Sequence, residues 1–435
     1  MELTILQLTD VLKISFRADE MSWIFAIMTT VVWLMAGIYS FGYMEHDEHK
    51  KRYAFFYVLV YFVLIALDFS ANLITMYLFY ELMTLSSMPL IIHDLKKESV
   101  SAAMKYLYYS IAGAFLALFG IFVLSQYAPS MDFVAGGHMT LENIQNKGLI
   151  LGALCLMVIG FGAKAGLFPL HAWLPIAHPV APAPASAVLS GVVVKSGILA
   201  MIRAIFYVVG PEVVRGSFVQ TVWMILTLLT VVMGSTRAYH ENVLKKRLAY
   251  STVSQLSYVM FGLSTLHPIG IAGALLHVLF HSVAKSLLFM GAGSIIHQTG
   301  KTKVSDLRGV GRQMPITIGC FAFGSLSLVG IPPFAGFFSK WYLANGALAS
   351  EVSVFGWLGP VILLLSALLT AGYLFPIPVR GFLPGKTYEK NSAKNCEADL
   401  KMTIPMMILA VLALLLGVFS SGIIAFVSQV AAGLM

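Results

Sequence analysis

Four lysines and one glutamate stand where ionisable side chains are expensive. Lys164 follows the apolar run Leu149 to Phe161, Lys195 lies near the middle of Ala185 to Tyr207, and Lys285 and Lys340 sit in stretches of similar character. Glu81 has eleven residues of the stretch 70–92 on either side. At about 1.5 Å per helical residue that is about 16 Å, too far for a glutamate to reach water, so it must be neutral or paired. Charges at mid-membrane cost a few kcal/mol each on insertion scales and by default mark ion pathways or proton relays. His277, His281 and Lys285 follow at i, i+4 and i+8, which stacks them on one helix face. Because histidine titrates near neutrality, that stripe reads as a path for protons.

The stretches that carry these residues fix the class. Of 435 residues, 58% are hydrophobic and 11% charged, against roughly 25% charged in soluble domains. About 20 apolar residues cross a bilayer as a helix. Twelve stretches qualify, near 21–42, 52–68, 70–92, 104–127, 148–170, 185–208, 217–238, 247–265, 268–297, 314–349, 353–379 and 402–430. The fold class is therefore an all-α polytopic membrane protein. Residues 1–20 carry Asp10, Lys13, Arg17, Asp19 and Glu20 without an apolar core, so no signal peptide is expected.

The net charge of +8 could suggest nucleic acid, so the positions of the basic residues matter. Nineteen of the 28 Lys and Arg border loops after odd-numbered spans, four lie on the other side, and five fall inside spans. The excess puts the odd loops in the cytoplasm and both termini outside. The membrane is then the cell's inner (cytoplasmic) membrane, and the charge is topology rather than a nucleic-acid footprint. Arg203, two turns beyond Lys195, reads equally as a path residue or an anchor at the outer surface.

Two spans are interrupted. The fifth reads Gly160-Phe-Gly-Ala-Lys164-Ala-Gly166-Leu-Phe-Pro169, and the tenth Gly330-Ile-Pro332-Pro333-Phe-Ala-Gly-Phe-Phe-Ser-Lys340. Proline removes a backbone donor and disrupts a helix about a turn upstream. Paired Gly/Pro interruptions in corresponding positions of two halves point to a transport site. An offset of five spans turns one copy upside down, so spans 2–6 and 7–11 are expected to be inverted five-helix repeats. The expected divisions are 1–45 (N-terminal segment and first span), 46–210 and 211–380 (the repeats, broken near 162–170 and 329–337) and 381–435 (a cytoplasmic loop and the last span). Cys155, Cys320 and Cys396 are scattered, and no CxxC, GxGxxG or Walker lysine motif occurs. No cofactor or metal site is expected in this chain.

The segment Phe161 to Arg203, with Lys164, Pro169, His171-Ala-Trp-Leu-Pro175, Ala177-His178, Ala181-Pro182, Ser186, Lys195 and Gly197, resembles the core signature of the antiporter-like subunits of respiratory complex I, Mrp cation/proton antiporters and energy-converting membrane-bound hydrogenases. Tyr80 to Met83, Lys245 to Tyr258, His277 to Lys285, Asp306-Leu-Arg308 and Gly330 to Lys340 agree in order, so the resemblance covers nearly the whole chain. It implies a proton-pumping subunit of a redox-driven complex. Glu81 would pair with Lys164 at the mouth of the path, Lys195 would bridge to the centre, His277, His281 and Lys285 would continue the axis, and Lys340 would terminate it.

The resemblance also implies partners: other antiporter-like subunits in the bilayer and a peripheral redox module bearing Fe–S clusters, flavin or NiFe. The cargo is protons, with sodium open. An Mrp-type Na+/H+ antiporter subunit, or a stand-alone cation/proton antiporter, is the alternative. Three departures stand out. The family usually has fourteen core spans, and Asp19 to Met44 resembles its third; no long lateral helix follows span 12; and the acidic residue common before Ala-His is Ile176 here.

Overall fold

The computed structural model describes residues 2–7, 9, 12–140, 146–350, 352–385 and 396–435. Asp10, and the loop residues Lys386, Lys390 and Lys394 used in the charge count, lie outside the described residues. The chain is mostly helical, with one departure from the all-α expectation. Residues β1 (Glu2–Gln7) and β2 (Lys13–Arg17) form an antiparallel hairpin. Lys13-Ile-Ser-Phe-Arg alternates polar with apolar side chains, the period of a strand. The strand is tied down by Asn72 Nδ2 donating to Ser15 Oγ at 2.8 Å and by Arg17 N–H donating to Phe69 O at 2.8 Å.

The helices are α1 (Glu20–Tyr43), α2 (Lys50–Asp68), α3 (Leu73–Ile91), α4 (Lys97–Tyr127), α5 (Lys147–Ala165), α6 (Leu174–Val180), α7 (Ala183–Val209), α8 (Phe218–His240), α9 (Leu244–Ser264), α10 (Pro268–Thr299), α11 (Pro315–Val329), α12 (Ala335–Ala349), α13 (Phe355–Phe382), α14 (Leu400–Val418) and α15 (Ser420–Ala432). Among the described residues, nine are long and apolar enough to cross a membrane. Every expected span falls on helix, but α2, α9 and the divided pair α11/α12 are outside the nine. The reasons are local. α2 opens on Lys50-Lys51-Arg52, α9 opens on basic residues and carries five Ser/Thr, and α11 and α12 have 15 residues each. The last expected span is also divided, at Phe419.

α7 and α10 are enclosed by the others: the apolar window of α7 is 100% buried and that of α10 94%, against 33% for α13. A lysine on either enclosed helix cannot snorkel to the membrane surface. At the start of α1, Asp19 is the N-cap and accepts from Ser22 N–H at 2.8 Å. The same carboxylate takes the Arg203 guanidinium in a two-pronged pair, at 2.6 and 2.7 Å, with Ser22 Oγ accepting a third bond at 3.0 Å. Phe133 and Tyr207 stack on that guanidinium at 4.8 and 4.4 Å. Arg203 thus locks α7 to the head of α1 and is buried, not an anchor at the outer surface.

Both interruptions end a helix on glycine in the left-handed region, Gly166 at φ 80° and Gly330 at φ 88°, where a Cβ would be strained. Their backbone donors are satisfied. Leu167 N–H reaches Gly162 O at 2.8 Å, Phe168 N–H reaches Thr230 Oγ1 at 3.0 Å, and Ile331 N–H reaches Leu326 O at 3.2 Å. The lysines are placed differently: Lys164 precedes its break and Lys340 follows it. α7 approaches α5 most closely at Gly197, where a Cβ would lie 2.4 Å from Phe161 O and 3.2 Å from Lys164 Cβ.

Two outcomes follow from this packing. Gly197→Val should force α5 and α7 apart and destabilise the protein by about 1–3 kcal/mol, the range for overpacking. It should melt in detergent well below wild type, whereas Gly319→Ala, whose Cβ would meet nothing within 4 Å, should not. The second concerns acid. Burial alone would raise the Asp19 carboxyl, but Arg203 and Ser22 outweigh it and hold the group below its ordinary 3.8. A depressed carboxylate contributes stability that is complete above the unfolded value and is lost as pH falls through the folded one. Melting temperature should therefore drop on acidification below about pH 4. Asp19→Asn should lack that part of the drop and should be less stable at neutral pH by about 3–5 kcal/mol, the cost of leaving a buried charge unpartnered.

Candidate functional site

Lys164 lies in the last turn of α5 and is fully buried. Its ammonium donates to Thr84 Oγ1 of α3 at 2.8 Å, and to Tyr106 OH and Ser110 Oγ of α4 at 2.8 and 3.1 Å. Ser87 Oγ extends the cluster to Tyr106 OH at 2.7 Å, and the Tyr106 ring lies under the ammonium at 4.4 Å. The expected pairing with Glu81 is not formed as a contact. Among the described residues no carboxylate comes within 4.0 Å of Lys164. Glu81 is half-buried and accepts from Tyr77 OH at 3.3 Å. The reason is one turn of helix: Thr84 sits at i+3 from Glu81 and meets the ammonium first. Glu81 and Lys164 still act on each other electrostatically across that hydroxyl cluster.

The centre is built on α7 and α9. α7 widens into a π-helical stretch over Leu189–Val193, so Val194 N–H turns to Leu189 O at 3.2 Å and not to Ser190 O. The Lys195 ammonium takes Ser190 O at 2.5 Å. Lys195 thus has its polar partner one turn back on its own helix. From Ser190 Oγ the contacts run to Thr252 Oγ1 at 2.7 Å and on to Leu248 O at 3.0 Å, which also accepts from the Lys285 ammonium at 3.0 Å. Lys195 and Lys285 thus both bond to residues of one cluster, Lys195 to the Ser190 carbonyl and Lys285 to the Leu248 carbonyl, with Ser190 Oγ and Thr252 Oγ1 between them.

The far end belongs to α10, α9 and α12. His277 bonds through Nδ1 to Ser339 Oγ at 2.9 Å and through Nε2 to Gln255 Oε1 at 3.1 Å. Its ring stacks on Tyr258 at 5.6 Å and lies 5.8 Å from that of His281. Both ring nitrogens of His281 are buried and meet no protein partner among the described residues, and the same holds for His178, stacked on Phe289 at 4.6 Å. Lys340 donates to Leu328 O and Val329 O at 2.8 and 2.9 Å, the carbonyls that α11 leaves open where it stops before Gly330. Its ammonium lies 5.3 Å from the Tyr258 ring centre. At the first break the carbonyl three residues before the glycine, Ala163 O, accepts from the Trp173 indole at 2.9 Å and from Gly166 N–H at 3.2 Å. Pro169, Pro332 and Pro333 are exposed on the surface of the chain.

The structure brings Lys195, His277, His281, Lys285 and Lys340 into one interior, with Lys164 against the neighbouring turn. It also supplies residues the sequence reading passed over: Thr84, Tyr106 and Ser110 around Lys164, and Leu248, Thr252, Gln255 and Tyr258 along one side of α9. The spacing of Ser251, Thr252, Ser254, Gln255, Ser257 and Tyr258 in an otherwise apolar helix was the available signal. A second intramembrane carboxylate, Asp68, was hidden at the end of its span. Among the described residues no group of three His, Cys, Asp or Glu could hold a metal ion.

Comparison with known proteins agrees with this architecture. The family described as NADH:quinone oxidoreductase/Mrp antiporter, TM, matches residues 70–370, and the N-terminal family of NADH-ubiquinone oxidoreductase (complex I) chain 5 matches residues 8–54. NADH-quinone oxidoreductase subunit N of Desulforudis audaxviator is 32% identical over 92% of this chain and 80% of its own length. Hydrogenase-4 component B of Escherichia coli is 30% identical over 94% of this chain, and the chloroplastic NAD(P)H-quinone oxidoreductase subunit 5 of Chara vulgaris 32% over 94%. The chain spans 63% of the length of each of these last two. The fold is shared with a chain of the Mrp complex from Dietzia (TM-score 0.85, 20% identity, 100% of this chain and 87% of that one). It is shared as well with a chain of an archaeal membrane-bound sulfane sulfur reductase (TM-score 0.86, 24% identity, 97% and 84%). A match over more than half of the residues, with a relative aligned over four-fifths of its length, makes this chain a member of the NADH:quinone oxidoreductase/Mrp antiporter family of membrane subunits.

Proposed function

We propose that this chain is a proton-translocating membrane subunit of a multisubunit redox complex of the complex I or membrane-bound hydrogenase type. The observation that carries the reading is the buried line from the hydroxyl cluster at Lys164, past Lys195 and Lys285, to His281, His277 and Lys340. Its lysines and histidines can gain or lose a proton, and its Ser, Thr and Tyr hydroxyls can pass one on. Redox cofactors (Fe–S clusters, flavin or NiFe) belong to partner subunits, and this chain's task is the proton path. Twelve spans with both termini outside, in an inner membrane with basic loops in the cytoplasm, suit the charge distribution. The repeats 46–210 and 211–380 suit the two glycine-capped breaks. The exposed prolines at those breaks are surfaces for neighbouring membrane subunits, since unwound backbone at membrane depth persists only against protein or a wet cavity.

The working step is electrostatic. Two charges 4 Å apart at an effective dielectric of about 20 interact by about 4 kcal/mol, about a thousand-fold in proton affinity. When Glu81 swings to Lys164 the ammonium holds its proton. When Glu81 turns away, as toward Tyr77 in this structure, the proton is released toward Lys195.

Glu81→Gln and Lys164→Ala should each abolish proton translocation by the purified complex in sealed proteoliposomes, read with a pH-sensitive dye, while leaving subunit assembly unchanged. Near-normal pumping in either variant sinks the charge-switch reading. The Mrp-like alternative makes the opposite demand on the cation: transport would then require sodium in the medium, whereas the proton reading expects the same rate with potassium in its place.

A further inference from the structure

Asp68 is the last residue of α2 and is 3% exposed. Thr29 Oγ1 of α1 donates to its Oδ2 at 3.0 Å. Among the described residues no Lys, Arg or His nitrogen lies within 4.0 Å of it. The charged group that acts on it is Arg203 of α7, whose guanidinium is already held by Asp19 and Ser22. Two carboxyls thus share the surroundings of one arginine, and only one of them holds it. A carboxylate shut away from water without a cation is too costly to persist and takes up a proton instead.

The placement gives this acid a use. Lys195 and Arg203 are eight residues apart on α7, about 12 Å along the helix, and Asp68 stands by the Arg203 end. That end meets the head of α1, where the hairpin covers Phe69 through Arg17 N–H. By the charge topology it is the outer side. None of the groups from Lys164 to Lys340 uses it.

We propose that Asp68, with Thr29 and Arg203, is a proton-carrying carboxyl that gives the first half of the chain its own outlet toward the outer side. In the step, the proton lost by the Lys195 ammonium crosses the intervening distance on water molecules and is taken up by the Asp68 carboxylate, leaving an amine and a carboxylic acid. The acid then loses that proton to water at the outer side. The resulting carboxylate competes with Asp19 for the Arg203 guanidinium until the next proton arrives. The outlet rests on the proton-pumping reading above; the protonated acid does not.

Infrared difference spectra of the intact complex at neutral pH should contain a protonated carboxyl C=O band that shifts in heavy water and is lost in Asp68→Asn. Thr29→Val, which removes the hydrogen bond and keeps the acid, should move the band to higher frequency. Proton translocation should fall about ten-fold or more in Asp68→Asn, with assembly and the Asp19–Arg203 pair retained. A wild-type spectrum without the band overturns the site. The band together with wild-type pumping in Asp68→Asn overturns the outlet. A wild-type complex that shows the band but moves no protons overturns the proton-pumping reading and the outlet with it, and upholds the acid.

Discussion

The rest of the structure depends on how four ammonium groups are kept inside a bilayer-spanning bundle without, among the described residues, a carboxylate in contact with any of them. A buried charge is tolerated only when hydrogen bonds replace its water. Here the replacements are neutral oxygens: Thr84, Tyr106 and Ser110 for Lys164, Ser190 O for Lys195, Leu248 O for Lys285, and Leu328 O with Val329 O for Lys340. Arg203 is the contrast, with a carboxylate in two-pronged contact and two aromatic rings on its faces. An arginine held that way is fixed and permanently charged. A lysine on neutral oxygens is solvated but not locked, and its amine form keeps two N–H donors for the same acceptors. The cluster at Lys164 goes further, because a hydroxyl can also donate to the lone pair of a neutral amine.

Three of those oxygens, Ser190 O, Leu328 O and Val329 O, are available because two helices are irregular. A regular α-helix uses every interior carbonyl in its own ladder. The π-helical stretch over Leu189–Val193 turns Val194 N–H away from Ser190 O, and the stop at Gly330 leaves Leu328 O and Val329 O unclaimed. At the other break Trp173 takes Ala163 O, so Lys164 must look sideways to α3 and α4. The two breaks are alike in their glycine caps yet serve their lysines differently. Gly197, against Phe161 O, lets α7 pack closely on α5 beside Lys164.

What the sequence could and could not reveal follows from the same chemistry. Lys164, Lys195, Lys285, Lys340 and Glu81 stood out because a charge among apolar neighbours has no cheap explanation, and glycine and proline marked both breaks. Hydroxyl partners were harder to single out, since Ser and Thr in a membrane helix commonly bond their own preceding turn, as Thr252 does with Leu248 O. Asp68 was indistinct because the end of a span reads the same whether it faces water or protein. The Asp19–Arg203 pair joins residues 184 apart, which no local pattern announces. Contact distances were likewise beyond reach: motif order placed Glu81 and Lys164 together, while the offset of one helical turn that puts Thr84 between them is a matter of packing.

An excess of basic groups in one interior bears on the proposed proton path. Lys195 and Lys285 bear on each other electrostatically, and His281 feels Lys195, Lys285 and Lys340 at once. Like charges in a medium of low dielectric repel strongly. In the proposed reading, a proton added at one end would raise the cost of the others and promote release at the far end. Histidines such as His277 and His281 suit a proton path because a neutral imidazole can accept on one nitrogen while it donates from the other. No helix has to move far for this coupling. In the proposed reading the charge at the mouth, set by the distance of Glu81 from Lys164, would be switched by a neighbouring membrane subunit.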